Sequence, residues 1–179
     1  MAERDRAIDD VLAKFDRNHA DIERLAGSLD GEALRAAPAS GGWSIGQVLG
    51  HLYRTSELYM PKLELGLEKL RSESRPAGEL RNGLFVRKML LPLLASKRKL
   101  KAPGKFVIEH PEDDIVARLL EIEGKFRAAL AEHRAQPIER VKVANPISGL
   151  IRMNLWDIFC VIPTHTRRHV DQIERIAKG

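Results

Sequence analysis

The sequence predicts an all-α protein, a four-helix bundle whose helices are joined by crossover connections. Apolar residues recur every three or four positions over most of the 179 residues, and no segment alternates with the two-residue period of a β-strand. The connections between the apolar segments are too long for a simple up-and-down array, which favours crossovers. The length suits one domain, a single helical bundle over residues 1–179.

Helices are predicted wherever this apolar period continues between breaks that contain glycine or proline. The predicted helices cover residues 4–28, 45–70, 79–99, 112–134 and 154–177. Ser44 and Gln47 form a capping-box pattern at the start of the second helix, and Asn154 is a suitable cap for the last. Local sequence therefore predicts where two of the helices begin.

Three of the predicted helices contain a proline. Because proline lacks the backbone N–H and its ring clashes with the preceding turn, Pro61 is expected to disturb the second helix. For the same reason, Pro92 is expected to split or kink the third helix and Pro163 to bend the last. The connection over residues 29–42 has room for one short helical turn, and residues 136–152 are predicted to be irregular.

Composition restricts the classes of protein to which the chain can belong. Charged residues make up 31% and apolar residues 44% of the sequence, which is typical of a soluble globular protein. The single cysteine, Cys160, excludes an internal disulfide, and the charged N-terminus lacks the features of a secretory signal. The longest apolar run, residues 89–95, is too short to cross a bilayer. We therefore expect a cytoplasmic protein with no membrane partner.

The net charge of +5 raises nucleic acid as a class of partner. Much of the excess lies in SKRKLK, residues 96–101, which has no aromatic side chain on which a base could stack. Lysine also suits the C-terminal end of a helix, where the helix dipole is negative. We interpret this segment as a solvated helix end and expect no specific nucleic-acid partner.

Three of the six histidines lie on inward-facing stripes of the predicted helices. His165 and His169 are one helical turn apart and share a face with apolar residues, and His51 lies on the inner face of the second helix. An imidazole buried without a partner costs about 1–3 kcal/mol. A divalent metal ion would satisfy all three imidazoles, which would fill three of four tetrahedral positions and leave one for water or substrate.

Ordinary explanations stay open for all six histidines. Two histidines four residues apart often occur by chance, as surface residues or as hydrogen-bonded core residues. No glutamate lies between His165 and His169, so the pattern is not that of a zinc metalloprotease. His19, His110 and His133 suit structural positions at a core edge, in a loop and at a helix C-terminus.

Two segments resemble the motifs of a known family. GGWSIGQVLGHLYRTSE places Trp43 and Ser44 at the start of a helix and His51 seven residues after the serine. THTRRHVDQIERI places two histidines one turn apart, followed by Gln172. In this order the motifs resemble those of the DinB-like (DinB/YfiT) family of four-helix metalloenzymes, and the resemblance extends over nearly the whole chain.

The resemblance implies a metal site and a choice of activities. It implies that His51, His165 and His169 bind one divalent ion, commonly zinc, nickel or iron, and that the protein is a homodimer. Relatives include S-transferases that use a low-molecular-weight thiol, as well as hydrolases. We therefore predict a metal-dependent transferase or hydrolase that acts on a small molecule. The alternative is a non-catalytic bundle that binds a ligand or partner and has a vestigial or structural metal site.

Several polar residues near the predicted ligands are candidates to orient the imidazoles by accepting the second ring N–H. The candidates for this role are Gln47, Thr55 and Gln172. Arg168, a fourth candidate beside the ligands, can only donate hydrogen bonds and is placed to hold an anionic thiol or carboxylate. Asp157 and Asp171 lie off the histidine stripe and are expected to be solvated. Cys160 is expected to pack rather than to act as a nucleophile.

Overall fold

A computed structural model of the chain describes residues 2–39, 41–96, 106, 108 and 110–178. Four long helices account for most of these residues, and shorter elements lie in the connections between them. In chain order the elements are α1 (Ala2–Ala26), α2 (Gly31–Arg35), α3 (Ile45–Arg71), a π-helical turn (Val86–Leu90), α4 (Leu91–Ala95), α5 (Ile115–Glu132), β1 (Lys142–Ala144), β2 (Arg152–Asn154) and α6 (Leu155–Ala177). The short α2 is the helical turn predicted between the first two helices.

The four long helices form a bundle with crossover connections. α1 packs against α5 and α6, and α3 packs against the same two helices. α1 and α3 therefore occupy opposite corners of the bundle, and the chain crosses one end of it between them. This arrangement confirms the predicted fold class.

The core is built from the apolar stripes that predicted the helices. Every long helix contributes fully buried side chains, because its apolar residues recur at the helical period and so share one face. Examples are Ile8, Phe15, Leu49, Leu52, Leu119, Phe126, Phe159 and Ile173. Among the described residues, no helix combines the length and the apolarity that crossing a membrane requires.

Both helices that carry the inward-facing histidines begin with a reciprocal cap. At α3, Ser44 Oγ accepts a hydrogen bond from Gln47 N–H (3.2 Å), and Gln47 Oε1 accepts one from Ser44 N–H (3.0 Å). At α6, Asn154 Oδ1 accepts from Asp157 N–H (2.8 Å), and Asp157 Oδ2 accepts from Asn154 N–H (2.9 Å). These pairs satisfy donors that a helix N-terminus leaves unpaired, and they confirm the predicted start of each helix.

The three prolines have different effects on their helices. α3 continues through Pro61 and α6 through Pro163 without a break. Pro92 is the second residue of α4 and directly follows the π-helical turn, so a carbonyl group of that turn lacks the N–H that another residue would supply. The π-helical turn before it has a wider backbone spacing, which gives room for the proline ring next to the preceding turn.

The predicted helix over residues 79–99 is too long. Residues 79–83 are irregular, and the helical structure runs from residue 84 to Ala95. Residues 97–101, which hold the lysines and arginine of SKRKLK, lie outside the described residues, so the interpretation of that segment stays a prediction. Asn82 Nδ2 and Gly83 N–H instead donate to the Asp157 carboxylate, a long-range contact that an apolar period does not reveal.

A small antiparallel hairpin lies where an irregular segment was predicted over residues 136–152. Lys142 pairs with Asn154 and Val143 with Met153, and both Val143 and Met153 are buried. The prediction missed this hairpin because each strand is three residues long, too short for a two-residue alternation to be visible in the sequence. The hairpin ends directly at the cap of α6 and so fixes where that helix begins.

Two glycines inside helices differ in the space around them. A Cβ atom on Gly66, in α3, would lie 2.2 Å from Leu155 Cδ2, whereas a Cβ on Gly124, in α5, would meet no described atom within 4 Å. We expect Gly124→Ala to raise the free energy of unfolding by about 0.5–1 kcal/mol through helix propensity. We expect Gly66→Ala to lower it by about 1–2 kcal/mol, because overpacking outweighs that gain. Urea denaturation measures both, and equal effects would contradict the close packing of α3 on α6.

Candidate metal centre

The structure brings His51, His165 and His169 together between α3 and α6. His51 Nε2 lies 3.2 Å from His165 Nε2. The ring centroids are 5.0 Å apart for His51 and His165, and 4.7 Å apart for the other two pairs. One potential ligand atom from each histidine lies within 4.8 Å of the other two. The i, i+4 spacing in α6 aligns two of the rings, and the packing of α3 on α6 adds the third.

Two of the rings have their Nδ1 atoms engaged by oxygen acceptors. His51 Nδ1 lies 2.9 Å from the backbone carbonyl oxygen of Phe106, and His169 Nδ1 lies 2.9 Å from Gln172 Oε1. Because a carbonyl oxygen only accepts hydrogen bonds, each of these Nδ1 atoms carries the ring proton. The Nε2 atoms of both rings therefore present lone pairs, which is the tautomer that a metal ligand requires.

The short contact between His51 Nε2 and His165 Nε2 requires either a proton or a cation between the two nitrogen atoms. His51 Nε2 presents a lone pair, and two lone pairs repel each other at 3.2 Å. A proton on His165 Nε2 or a cation between the two nitrogen atoms removes that repulsion. The arrangement therefore fits a divalent ion as well as it fits a hydrogen bond.

The environment keeps all three imidazoles neutral at pH 7. Burial lowers the pKa of His51 below its usual value. Burial, followed by the neighbouring His169 and His51, places the pKa of His165 well below its usual range. Burial and the neighbouring His51 lower the pKa of His169 to about 3. Since a metal binds only the neutral imidazole, the cluster is in the protonation state that coordination needs.

Two aromatic rings lie next to His51. The ring centroid of Trp43 lies 5.2 Å from that of His51, and the centroid of Phe106 lies 6.3 Å from it. Phe106 is buried and Trp43 is half-buried. These rings shield His51 from water, which strengthens any electrostatic interaction that it makes.

The polar candidates near the ligands have different roles from one another. Gln172 accepts the His169 ring N–H, as a residue that orients a ligand does. Gln47 and Thr55 do not accept the His51 ring N–H, because the Phe106 carbonyl has that position. Gln47 Oε1 accepts from Ser44 N–H in the helix cap, and Thr55 Oγ1 donates to the His51 backbone carbonyl (2.8 Å). Both side chains therefore bond to nearby backbone groups and not to the imidazole ring.

The Arg168 guanidinium contacts the end of α4, and its charge also helps to lower the pKa of His165 and of His169. Its guanidinium donates to the backbone carbonyl oxygens of Leu93 (3.4 Å), Leu94 (3.3 Å) and Ser96. Carbonyl groups at a helix C-terminus lack partners within the helix, so a guanidinium there satisfies several of them at once. The predicted role of Arg168 in holding an anion therefore competes with this contact.

Asp157 corrects one of the sequence-based expectations. Its side chain is fully buried rather than solvated, and besides capping α6 it accepts hydrogen bonds from Gly83 N–H and Asn82 Nδ2, both at 2.9 Å. The burial depends on a segment more than 70 residues earlier in the chain, which the helical angle could not reveal. Asp171, in contrast, is exposed and pairs with Arg167, as expected.

The other three histidines lie outside the cluster. His133 Nδ1 donates to the Ala129 carbonyl oxygen at the end of α5 (2.9 Å), and His110 is exposed. His19 Nε2 lies 3.6 Å from Glu123 Oε2, beyond hydrogen-bond distance. Of the residues that contact the cluster, Phe106 could not be predicted from the sequence, because any residue type can offer a backbone carbonyl oxygen as an acceptor.

Cys160 is half-buried against the core, and its environment disfavours the thiolate. Burial raises the pKa of the Cys160 thiol to about 12. Because only the thiolate is alkylated, we expect iodoacetamide to modify the native protein about a thousandfold more slowly at pH 8 than the urea-unfolded chain. The native rate should also rise about tenfold per pH unit from pH 7 to 10, since thiolate accumulates only as the pH approaches the pKa. Mass spectrometry measures both rates, and a plateau near pH 8.5 would contradict the raised pKa.

One solved structure is similar to this chain over most of its length. YfiT from Bacillus subtilis is described as a probable metal-dependent hydrolase with an unusual four-helix bundle topology. The TM-score is 0.60 at 16% sequence identity, over 96% of this chain and 86% of YfiT. At this identity the likeness establishes the shared fold alone.

Sequence comparison identifies the family directly. No curated protein matches the sequence significantly. The model of the DinB superfamily, however, matches residues 14–173, a span that includes all three clustered histidines, the second half of α1, all of α3 and α5, and most of α6. On this match, the chain belongs to the DinB superfamily.

Proposed function

We propose that the protein is a divalent-metal-dependent hydrolase of a small molecule, with His51, His165 and His169 as the ligands of one zinc, nickel or iron ion. One observation carries the proposal: three neutral imidazoles from two helices converge, with their ligand atoms within 4.8 Å of one another. Three protein ligands are the number that catalytic zinc sites use, and they leave one position for water or substrate. When bound, such an ion supplies Lewis-acid activation of water or of a substrate carbonyl.

The chain's own groups prepare this site for the ion. The Phe106 carbonyl and Gln172 Oε1 hold the ring protons of His51 and His169 on Nδ1, so that the Nε2 lone pairs face the centre of the cluster. Trp43 and Phe106 shield His51 from water. The low pKa of each imidazole also lessens competition between protons and the ion.

Two observations favour hydrolysis over thiol-dependent transfer. YfiT, with the same fold, is described as a probable metal-dependent hydrolase. Arg168, the residue predicted to hold an anionic thiol, has its guanidinium on the carbonyl groups at the end of α4. Use of a low-molecular-weight thiol stays a prediction from the family resemblance, as does the homodimer.

Metal analysis of protein purified without a histidine tag tests the proposal. We expect close to one equivalent of a divalent metal per chain by plasma mass spectrometry, because three neutral imidazoles bind such ions with high affinity. A screen of small esters, amides and lactones, with and without a chelator, then tests hydrolysis, and a parallel screen with added thiols tests transfer. A chain that takes up no zinc, nickel or iron on incubation contradicts the proposal and favours the non-catalytic bundle.

A further inference from the structure

A second polar cluster is buried in the bundle, on the side of α6 that faces α1 and α5. Its members are Asn18 and His19 of α1, Ser56 of α3, Glu123 of α5 and Thr166 of α6. Glu123 is fully buried, and its one ion-pair partner among the described residues is His19, at 3.6 Å. None of these residues is among the clustered histidines, and the proposed chemistry does not use them.

Glu123 connects the two helices that carry the clustered histidines. Glu123 Oε1 accepts a hydrogen bond from Thr166 Oγ1 at 2.6 Å and lies 3.5 Å from Ser56 Oγ. Thr166 directly follows His165 in α6, and Ser56 lies five residues after His51 in α3. A single carboxylate oxygen therefore joins α3 and α6 close to where each presents an imidazole.

A contact from α1 also holds the turn of α6 that carries His165. Asn18 Nδ2 donates to the backbone carbonyl oxygen of Pro163 at 2.8 Å, two residues before His165. Proline at this position removes one helical hydrogen bond from α6 and so weakens the helix locally. The turn that carries His165 is thus held by polar contacts from both α1 and α5.

Stability does not account for this cluster. Asn18 Oδ1, His19 Nε2 and Glu123 Oε2 are buried and have no hydrogen-bond partner among the described residues. A buried carboxylate with incomplete hydrogen bonding is less favourable than an apolar side chain of the same size. Its position is therefore better explained by the geometry that it imposes on the two helices.

We propose that Glu123 is a positioning residue for the metal ligands. Through Thr166 and Ser56 it sets the placement of α6 relative to α3, and with it the 3.2 Å approach of His165 Nε2 to His51 Nε2. This inference rests on the proposed function in one respect, namely that these imidazoles hold the ion.

Four variants separate positioning from stability. Glu123→Leu and Thr166→Val remove the contact with side chains of similar size, and Glu123→Gln keeps an acceptor for Thr166. Tyr59→Phe is the matched control, because it removes a different buried hydroxyl of α3, which contacts Asn145 Nδ2 at 3.4 Å. For each variant, zinc affinity is measured by competition with a chromophoric chelator, and the urea midpoint is measured on the metal-free protein.

We expect Glu123→Leu and Thr166→Val to weaken zinc binding about tenfold, the lower end of the effect of removing groups that orient a ligand. The urea midpoint of Glu123→Leu should stay equal or rise, because a poorly satisfied buried carboxylate has been removed. Glu123→Gln and Tyr59→Phe should keep the affinity of the parent protein. Unchanged zinc affinity in Glu123→Leu and Thr166→Val would overturn the inference, and so would affinities that fall only in step with the urea midpoint.

A metal-free readout distinguishes failure of this inference from failure of the proposed function. The side-chain nitrogen resonances of His165 and His169 in the metal-free protein should shift in Glu123→Leu and Thr166→Val and stay unchanged in Tyr59→Phe. If the parent protein binds no zinc, the proposed function fails, and these resonances still decide whether Glu123 positions the imidazoles. Resonances that match the parent in both variants would refute the positioning role.

Discussion

Replacement of His165 by alanine is expected to weaken zinc binding by more than about 100-fold, the upper end of the effect of losing a group that only orients a ligand. The His165 ring adjoins both of the others: its Nε2 lies 3.2 Å from His51 Nε2, and its centroid lies 4.7 Å from that of His169. The two remaining imidazoles cannot supply the three protein ligands of a catalytic site. Metal content and zinc affinity, measured on untagged variant and parent protein, test this result.

His133→Ala is the matched control for this experiment. It also removes one imidazole, but His133 Nδ1 donates to the Ala129 carbonyl oxygen at the end of α5, outside the cluster. We expect the His133 variant to keep the metal content of the parent. Circular dichroism should show both variants to be folded, and a folded His165→Ala protein that still carries one equivalent of zinc would exclude His165 as a ligand.

Replacement of Asp157 by alanine is expected to lower the free energy of unfolding by about 3–4 kcal/mol, the largest effect on stability that we predict. The fully buried carboxylate accepts hydrogen bonds from Asn154 N–H, Gly83 N–H and Asn82 Nδ2, each at 2.9 Å. Alanine leaves these donors without an acceptor in a buried site, which costs about 1–3 kcal/mol for each donor that water does not reach. Urea denaturation of the metal-free variant measures the loss.

Asp157→Asn separates the loss of acceptors from the loss of the side chain. An asparagine of the same shape keeps one acceptor oxygen and turns an amide N–H₂ group toward the remaining donors. We expect about half of the destabilisation caused by alanine, since one side of the site stays satisfied. A loss below about 1 kcal/mol for Asp157→Ala would mean that water replaces the carboxylate, and the buried position would then be wrong.

The parts of the fold that local sequence determines were predicted correctly. The capping pairs of Ser44 with Gln47 and of Asn154 with Asp157 involve residues three apart, so the sequence alone locates the start of α3 and of α6. The apolar period located the long helices for the same reason. The π-helical turn and the three-residue strands escaped prediction, because each is shorter than the window over which a period can be recognised.

The candidate site shows the same division between local and long-range information. The two histidines of α6 share a face by their spacing, and Gln172 reaches His169 across one turn, so these relations are visible in the sequence. The acceptor for His51 is a backbone carbonyl from a segment more than 50 residues away. The burial of Asp157 depends on a segment more than 70 residues away in sequence. Long-range contacts of this kind cannot be recognised from the types of the residues that make them.

The reciprocal caps of α3 and α6 stabilise the starts of both histidine-bearing helices without a metal ion. Each cap uses residues close to one another in the chain, whereas Asp114, at the start of α5, makes no side-chain cap hydrogen bond. Further along α6, contacts from Asn18 and Glu123 hold the turn that carries His165, again without an ion. On the proposed function, the metal-free protein already holds its three ligand residues in place. Small zinc modules, in contrast, fold only around their metal. Because nitrogen ligands bind the divalent ions in a general order of affinity, cellular supply then decides which ion is loaded.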